Sequence, residues 1–223
     1  MMDSIKKNKR TESRMPQITS RQLINAARIY CMVFSPFYAP LWAFAWLFMF
    51  TYLRLSPLSY KLFILITVFM FTIVIPRITI NIFRKINKWT HWQLSHREHR
   101  YTPYIITIAS YTACVLLFRN MNSAQFMLSI IVATFVAGIL CGVLNLWWKV
   151  STHVAAMGGL TGAVAAFGWI FFFNPVPMLC IMIFLSGLMG TSRMILRQHS
   201  LSQVIGGFFI GFVCSFVFIL IGW

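Results

Sequence analysis

Long apolar runs recur along most of the chain, and they constrain its fold more than any other feature. About 20 consecutive apolar residues cross a bilayer as an α-helix, in which every backbone polar group is paired internally. Hydrophobic residues make up 59% of the 223 residues and charged residues only 10%, against roughly 25% in soluble domains. The sequence therefore predicts an all-α, polytopic membrane helix bundle. The predicted spans lie near 30–53, 59–80, 103–119, 123–147, 154–173, 176–192 and 201–222.

The number of spans is predicted to be six or seven. The run at 103–119 is short, and it would also suit an interfacial or re-entrant helix. Pro36 and Pro40 fall in the first span, where a spanning helix tolerates them as a kink. Residues 1–28 are polar and basic and are predicted to form a cytoplasmic tail. Residues 29–223 are predicted to form one transmembrane domain.

The charge of the chain is strongly positive and poorly balanced. Nineteen Lys and Arg oppose three acids, for a net charge of +16, and Glu98 is the only acid outside the N-terminal tail. A basic balance indicates nucleic acid, anionic lipid or an anionic substrate as partner. The sequence has no nucleic-acid motif, so lipid or phosphate is favoured. The polar segment 81–102 carries Arg84, Lys85 and Lys88 among tryptophans, which suits an interfacial helix on anionic lipid.

Three polar clusters near span ends combine Arg or Lys with His. If the chain has seven spans, two of them separate each cluster from the next, so an even number of crossings returns the chain to the same membrane face. All three clusters are therefore predicted to converge at one surface. They are Arg97 and Arg100 in "SHREHRYTP", Lys149, Ser151 and His153 in "WWKVSTHVAAMGG", and Arg193, Arg197 and His199 in "TSRMILRQHS".

Such a convergence suits the chemistry of a phosphate ester. Guanidinium groups match phosphate oxygens bidentately, and a lysine adds a point charge. A magnesium-type site is not expected, because Mg²⁺ needs carboxylates and the chain has no acidic pair. No cofactor is expected either. Two histidines can instead divide the work, one attacking phosphorus and the other protonating the departing lipid oxygen.

The motifs resemble those of the type 2 phosphatidic acid phosphatase (PAP2) superfamily. "SRMILRQH" fits the S-R-x5-H core of the third signature, "VSTH" resembles the second signature P-S-G-H, and "RYTP" is a loosened form of the first, K-x6-R-P. The resemblance extends over residues 97–211, with the motifs in the family's order. The chain is similar to the compact, membrane-embedded lipid phosphatases of bacteria, and this similarity implies a location in the bacterial inner (cytoplasmic) membrane.

The resemblance implies a role for each matching residue. His199 would be the nucleophile and His153 the general acid, with Gln203 beside the nucleophile. Phosphate would be bound by Arg193, Ser151, Thr152 and Arg100, and Arg97 or Lys149 would supply the charge of the first-motif lysine. The implied activity is metal-independent hydrolysis of a lipid-linked phosphate or diphosphate through a phosphohistidine, with the lipid tail between helices. Candidate substrates by resemblance are undecaprenyl diphosphate, phosphatidylglycerol phosphate, phosphatidic acid and lipid A phosphate.

Three departures from the family pattern affect that implication. Gln93 stands at the position of the first-motif lysine, Thr152 stands where the family has Gly, and Gln203 stands where it usually has Asp. A carboxylate beside a catalytic histidine fixes its tautomer and stabilises the charged ring, whereas an amide adds no charge. The alternative is therefore a catalytically weak or inactive lipid-phosphate-binding or transport protein on the same scaffold. The oligomeric state is left open.

Small residues at helix-packing spacing have a simpler interpretation. They let helix backbones approach each other closely in a membrane. We assign them to packing and not to chemistry. The pairs are Gly158 with Gly162, Gly207 with Gly211, and Ala133 with Ala137.

Overall fold

The computed structural model describes residues 17–87, 101–121 and 124–222, and within these ranges the chain is helical and contains no strand. This confirms the predicted all-α bundle. The helices are α1 (Gln17–Val33), α2 (Ala39–Phe50), α3 (Leu58–Phe69), α4 (Ile75–Ile86), α5 (Tyr101–Asn120), α6 (Gln125–Leu144), α7 (Thr152–Ile170), α8 (Val176–Ile195) and α9 (Leu201–Ile221).

Six helical stretches in the described residues are long and apolar enough to cross a membrane, so the protein is a multi-pass membrane protein. A shorter apolar helix, Ile105–Asn120, corresponds to the short run predicted at 103–119. The six candidate spans are Arg21–Phe50, Leu58–Ile86, Gln125–Leu144, Thr152–Ile170, Val176–Ile195 and Leu201–Ile221.

Two boundaries differ from those predicted. The first candidate span begins at Arg21, earlier than the predicted residue 30. The second span continues as helix to Ile86, so the start of the polar segment 81–102 is an extension of that helix. A span predicted from apolar residues ends where polar residues begin. The helix itself can continue beyond that point, because polar residues also adopt helical conformation. Residues 88–100 of that segment lie outside the described residues, and its last two residues, 101–102, begin α5.

The first span is broken near its middle. Helix α1 ends at Val33, a 3₁₀ turn follows at Pro36–Tyr38, and α2 resumes at Ala39. Proline lacks a backbone N–H, so the predicted kink is a full interruption of the hydrogen-bond ladder. Tyr30 of α1 donates its hydroxyl to the Leu185 carbonyl of α8 at 2.8 Å, which holds α1 against that helix.

The second span carries a π-helical turn at Met70–Val74, between α3 and α4. Pro76 lies two residues after this turn. Because proline has no backbone N–H, Pro76 cannot donate a hydrogen bond to a carbonyl of the preceding turn. The Ser110 hydroxyl of α5 donates to the Phe71 carbonyl within the turn. An inserted hydrogen bond of this kind is a usual accompaniment of helix distortion.

Helices α7 and α9 run parallel with almost no side chain between them. A Cβ atom on Gly207 would lie 2.6 Å from the Ser151 carbonyl oxygen, and one on Gly211 would overlap the Ala155 carbonyl oxygen. Gly158 of α7 meets the backbone of α9 in the same way. These contacts support the packing role predicted for the glycine pairs.

Helix α8 comes between α7 and α9 in the sequence and is joined to each by a short loop. It runs antiparallel to both. The N-termini of α7 and α9 therefore lie at the same end of the bundle as the C-terminus of α8. We call this the site end, because the second and third polar clusters both lie there. The aromatic core around Phe167, on which Trp46 stacks with ring centroids 5.6 Å apart, lies toward the opposite end.

We expect Gly211→Ala to destabilise the protein by roughly 1–3 kcal/mol, because the added methyl meets backbone and the helices must separate. Gly187→Ala is the matched control, since a Cβ there has nothing within 4 Å. In a helix that change should stabilise by about 0.5–1 kcal/mol. Thermal unfolding in detergent measures both. A Gly211→Ala protein that unfolds like the unsubstituted one would contradict the close contact.

Candidate functional site

The N-terminus of α7 presents the second predicted cluster. Ser151 is the N-cap and is fully buried, Thr152 is the first helical residue, and His153 follows half-buried. The first N–H groups of a helix have no partner within it, and they favour anions. This end of α7 therefore offers backbone donors next to two predicted phosphate ligands.

The loop between α8 and α9 presents the third cluster through a tight helix ending. Arg197 has a φ of 52°, its N–H donates to the Met194 carbonyl at 2.8 Å, and the Gln198 N–H donates to the Arg193 carbonyl at 3.1 Å. These two bonds form a Schellman motif, in which glycine usually occupies the left-handed position. Arg197 itself is exposed. The motif turns the chain sharply, so that Arg193 and His199 lie at the same end of the bundle.

Gln203 contacts the predicted nucleophile directly. Its Oε1 accepts from the Ser200 N–H at 3.2 Å and lies 3.2 Å from His199 Nδ1. A backbone amide only donates, so the shared atom is an oxygen, and Nδ1 must carry the proton in this contact. The lone pair of the neutral ring is then on Nε2. Gln203 thus fixes the tautomer that a nucleophile needs while completing the capping box of α9.

Hydrogen bonds join the two clusters. The Ser151 N–H donates to the Gln203 carbonyl at 3.3 Å, and Lys149 Nζ donates to the Gln198 carbonyl at 2.7 Å. Both bonds link residues about 50 positions apart in the sequence. The structure therefore brings together Lys149, Ser151, Thr152, His153, Arg193, His199 and Gln203.

The two histidines share a positive electrostatic environment. His153 interacts electrostatically with Arg193 and His199, and His199 interacts with Arg193 and Lys149. Burial and these two cations lower the pKa of His199 from 6.5 to about 4, although hydrogen bonds with Gln203 and the Lys149 backbone partly oppose the shift. His199 is therefore neutral at pH 7, as a nucleophile must be.

Three buried polar atoms of this site have no hydrogen-bond partner among the described residues: Ser151 Oγ, His153 Nδ1 and Arg193 Nε. A buried polar atom without a partner costs free energy, so such atoms are rare in folded proteins. All three acids of the chain (Asp3, Glu12 and Glu98) lie outside the described ranges. A negatively charged ligand is the kind of partner that these three groups lack. Nor do the described residues contain a group of three His, Cys, Asp or Glu side chains placed to bind a metal ion.

Sequence reasoning missed the contribution of Cys31. Its buried thiol contacts the Arg193 side chain and lies 3.7 Å from Met189 Sδ, and its backbone hydrogen-bonds with the ring of His153. No motif surrounds this cysteine in the sequence, where it lies in an apolar stretch. Its proximity to the site depends on how α1 docks on α8, which no local pattern encodes.

The first predicted cluster is a different case. Arg97 and Arg100 lie outside the described residues, so their predicted role in phosphate binding stays a prediction. The described chain nevertheless resumes at α5, whose Thr107 and Tyr111 line the same cavity as His153.

The fold and the site together define a polytopic helical membrane protein in which two histidines, an arginine and a lysine lie together at one end of the bundle. Residues 144–223 match the family model described as PAP2 superfamily, which confirms the resemblance inferred from the motifs. The matched region includes α7, α8 and α9 and both described clusters. This family is one of phosphatases, which supports a phosphoesterase activity. No curated protein and no solved structure matches the chain.

We expect Gln203→Glu to raise the pKa of His199 by about 1 to 3 pH units, because a carboxylate of the same reach favours the charged ring. Gln125→Glu makes the same change on an exposed side chain at the opposite end and should leave that pKa unchanged. Histidine-labelled NMR in detergent measures it, with His199→Asn assigning the signal. An unaltered His199 titration in Gln203→Glu would show that the two side chains are not in contact.

Proposed function

We propose that this protein is a metal-independent hydrolase of lipid-linked phosphate or diphosphate esters that works through a phosphohistidine on His199. The family match supports a phosphatase in general, and the geometry of the site supports this particular chemistry. We further propose that it acts in the inner membrane of a bacterium, with amphiphilic phosphates as its substrates.

The observation that carries the proposal is the convergence of partnerless polar atoms. Within the described ranges, Ser151 Oγ, His153 Nδ1 and Arg193 Nε are buried and have no hydrogen-bond partner, and they lie beside the N-terminus of α7. A phosphate group has several acceptor oxygens and up to two negative charges. It would accept from the Arg193 guanidinium, the Ser151 hydroxyl and the first N–H groups of α7. Lys149 would add charge from the exposed rim.

The proposed reaction has two steps. His199 Nε2 donates its lone pair to phosphorus as the bond from phosphorus to the lipid oxygen breaks, and His153 donates a proton to that oxygen. Water then attacks the phosphohistidine with His153 as base, the P–N bond breaks, and inorganic phosphate leaves. His199 regains its lone pair, and His153 regains its proton from the water.

The bound phosphate would also compensate for the missing carboxylate. Gln203 orients the ring of His199 but carries no charge, so the imidazolium-like ring of the transition state lacks the usual countercharge. A phosphate dianion close to both histidines favours their protonated forms through the same electrostatics. We therefore expect a working but slow enzyme.

The second candidate function is binding without turnover, and Gln203 is the observation that favours it. A lipid-phosphate-binding protein would need Arg193 and Ser151 but not a nucleophile. Under that alternative, His199→Ala would retain lipid phosphate as well as the unsubstituted protein does.

Purified protein in detergent should release phosphate from at least one member of a lipid phosphate panel, with an unchanged rate in EDTA. His199→Ala should lose this release, because the nucleophile is absent. His153→Ala should slow it by about 10²–10⁴-fold, the range for a general acid. Arg193→Gln should slow it by roughly 10²–10³-fold, as for loss of a transition-state donor.

The matched control for Arg193→Gln is Arg119→Gln, an exposed arginine at the opposite end of the bundle. It should retain the full rate. Activity that EDTA abolishes would overturn the metal-independent route. Release from no lipid, even by Gln203→Asp, would favour the binding protein.

A further inference from the structure

An apolar cavity of about 330 Å³ extends from the site end of α7 into the bundle. It lies between α2, α5, α6, α7 and α9, and the interruption of the first span at Ser35–Phe37 forms part of its wall. His153 and Thr152 line it, whereas Arg193 and His199 do not. The cavity is therefore continuous with the site at His153 and extends away from the cations.

The walls of this cavity suit hydrocarbon. Alanines and glycines supply much of the lining, and no Lys, Arg, Asp or Glu among the described residues contributes to it. Small side chains leave a channel between helices that otherwise pack closely. Gly138 of α6 faces open space, with nothing within 4 Å of a Cβ placed there.

The depth of the cavity follows from the residues of α7 that line it. Beyond Thr152 at the start of the helix, they run from His153 to Ala163, and ten residues of α-helix rise roughly 15 Å. An extended hydrocarbon advances about 1.25 Å per bond, given C–C bonds near 1.5 Å and tetrahedral angles. The cavity thus accommodates about twelve carbons, and Ile130 and Ile219 lie among its deepest lining residues.

We propose that this cavity binds one straight hydrocarbon chain of the substrate, about twelve carbons long, while the phosphate lies between His153 and His199. This inference rests on the proposed function. It favours lipid phosphates with acyl or alkyl chains over polyprenyl diphosphates, because a long polyprenyl chain would leave most of its length outside the cavity.

Gly138→Leu tests the proposal, because Gly138 lines the cavity and a Cβ placed there has nothing within 4 Å. Gly187→Leu is the matched control. Gly187 is equally open, but it lies on the exposed face of α8 and does not line the cavity. The substrates are butyl, hexyl, octyl, decyl and dodecyl phosphate, which share one headgroup, together with a prenyl phosphate of the same reach as dodecyl.

For the unsubstituted protein and Gly187→Leu, we expect kcat/KM to rise with chain length by up to about fourfold per methylene that enters the cavity. Gly138→Leu should have the same kcat/KM on butyl phosphate as these two proteins. On the longer chains its kcat/KM should no longer rise with chain length. A rise in Gly138→Leu equal to that of the unsubstituted protein would overturn the inference. So would a prenyl phosphate turned over faster than dodecyl phosphate.

A second variant and a second measurement separate this inference from the proposed function. Thr134→Leu fills the same cavity from one turn earlier, at a hydroxyl that bonds only its own helix, to the Ile130 carbonyl. Native mass spectrometry measures dodecyl phosphate retained by each protein without turnover. If the unsubstituted protein hydrolyses nothing but retains dodecyl phosphate, and both cavity variants lose it, the proposed function fails and the cavity assignment stands. Equal retention by the unsubstituted protein and the cavity variants overturns the assignment.

Discussion

The contact between the backbones of α7 and α9 is the constraint on which the rest of the site depends. Gly207 and Gly211 bring α9 against the carbonyl groups of Ser151 and Ala155, with no room for a methyl group. Helix association in lipid relies on close packing, since lipid tails are as apolar as the side chains they would replace. The two helix N-termini are thereby held side by side. His153 enters the site from one helix, and His199 precedes the other.

Uncompensated positive charge is the second organising feature. The described part of the site has two cations and two histidines, and no carboxylate side chain is present in the described ranges. A positive, partly buried cluster is costly in isolation and favourable around an anion. Burial, together with the cations that would hold phosphate, lowers the pKa of His199, so that one environment would favour both phosphate binding and the neutral ring that the proposed nucleophile needs. Gln203 contributes orientation in place of charge.

The sequence was sufficient for the features encoded locally. Apolar runs predicted the helical bundle, and the spacing from Ser192 to His199 predicted the match to the PAP2 superfamily model. The left-handed turn at Arg197 was not foreseen, because arginine has no preference for that conformation. Likewise, the break after Val33 placed a cavity wall beside His153, and α1 placed Cys31 beside Arg193. The cavity wall and the position of Cys31 both depend on which helices pack against each other. No local sequence pattern encodes that packing.

The most direct test of the catalytic account is chemical trapping of the covalent intermediate. The protein would be mixed with a ³²P-labelled lipid phosphate, quenched within its first turnover in alkali, where phosphohistidine persists, and mapped by mass spectrometry. The account predicts a phosphoryl group on His199 that is absent from His199→Ala. Rapid turnover with no label on the protein, or with label on another residue, would contradict the assignment of His199 as the nucleophile.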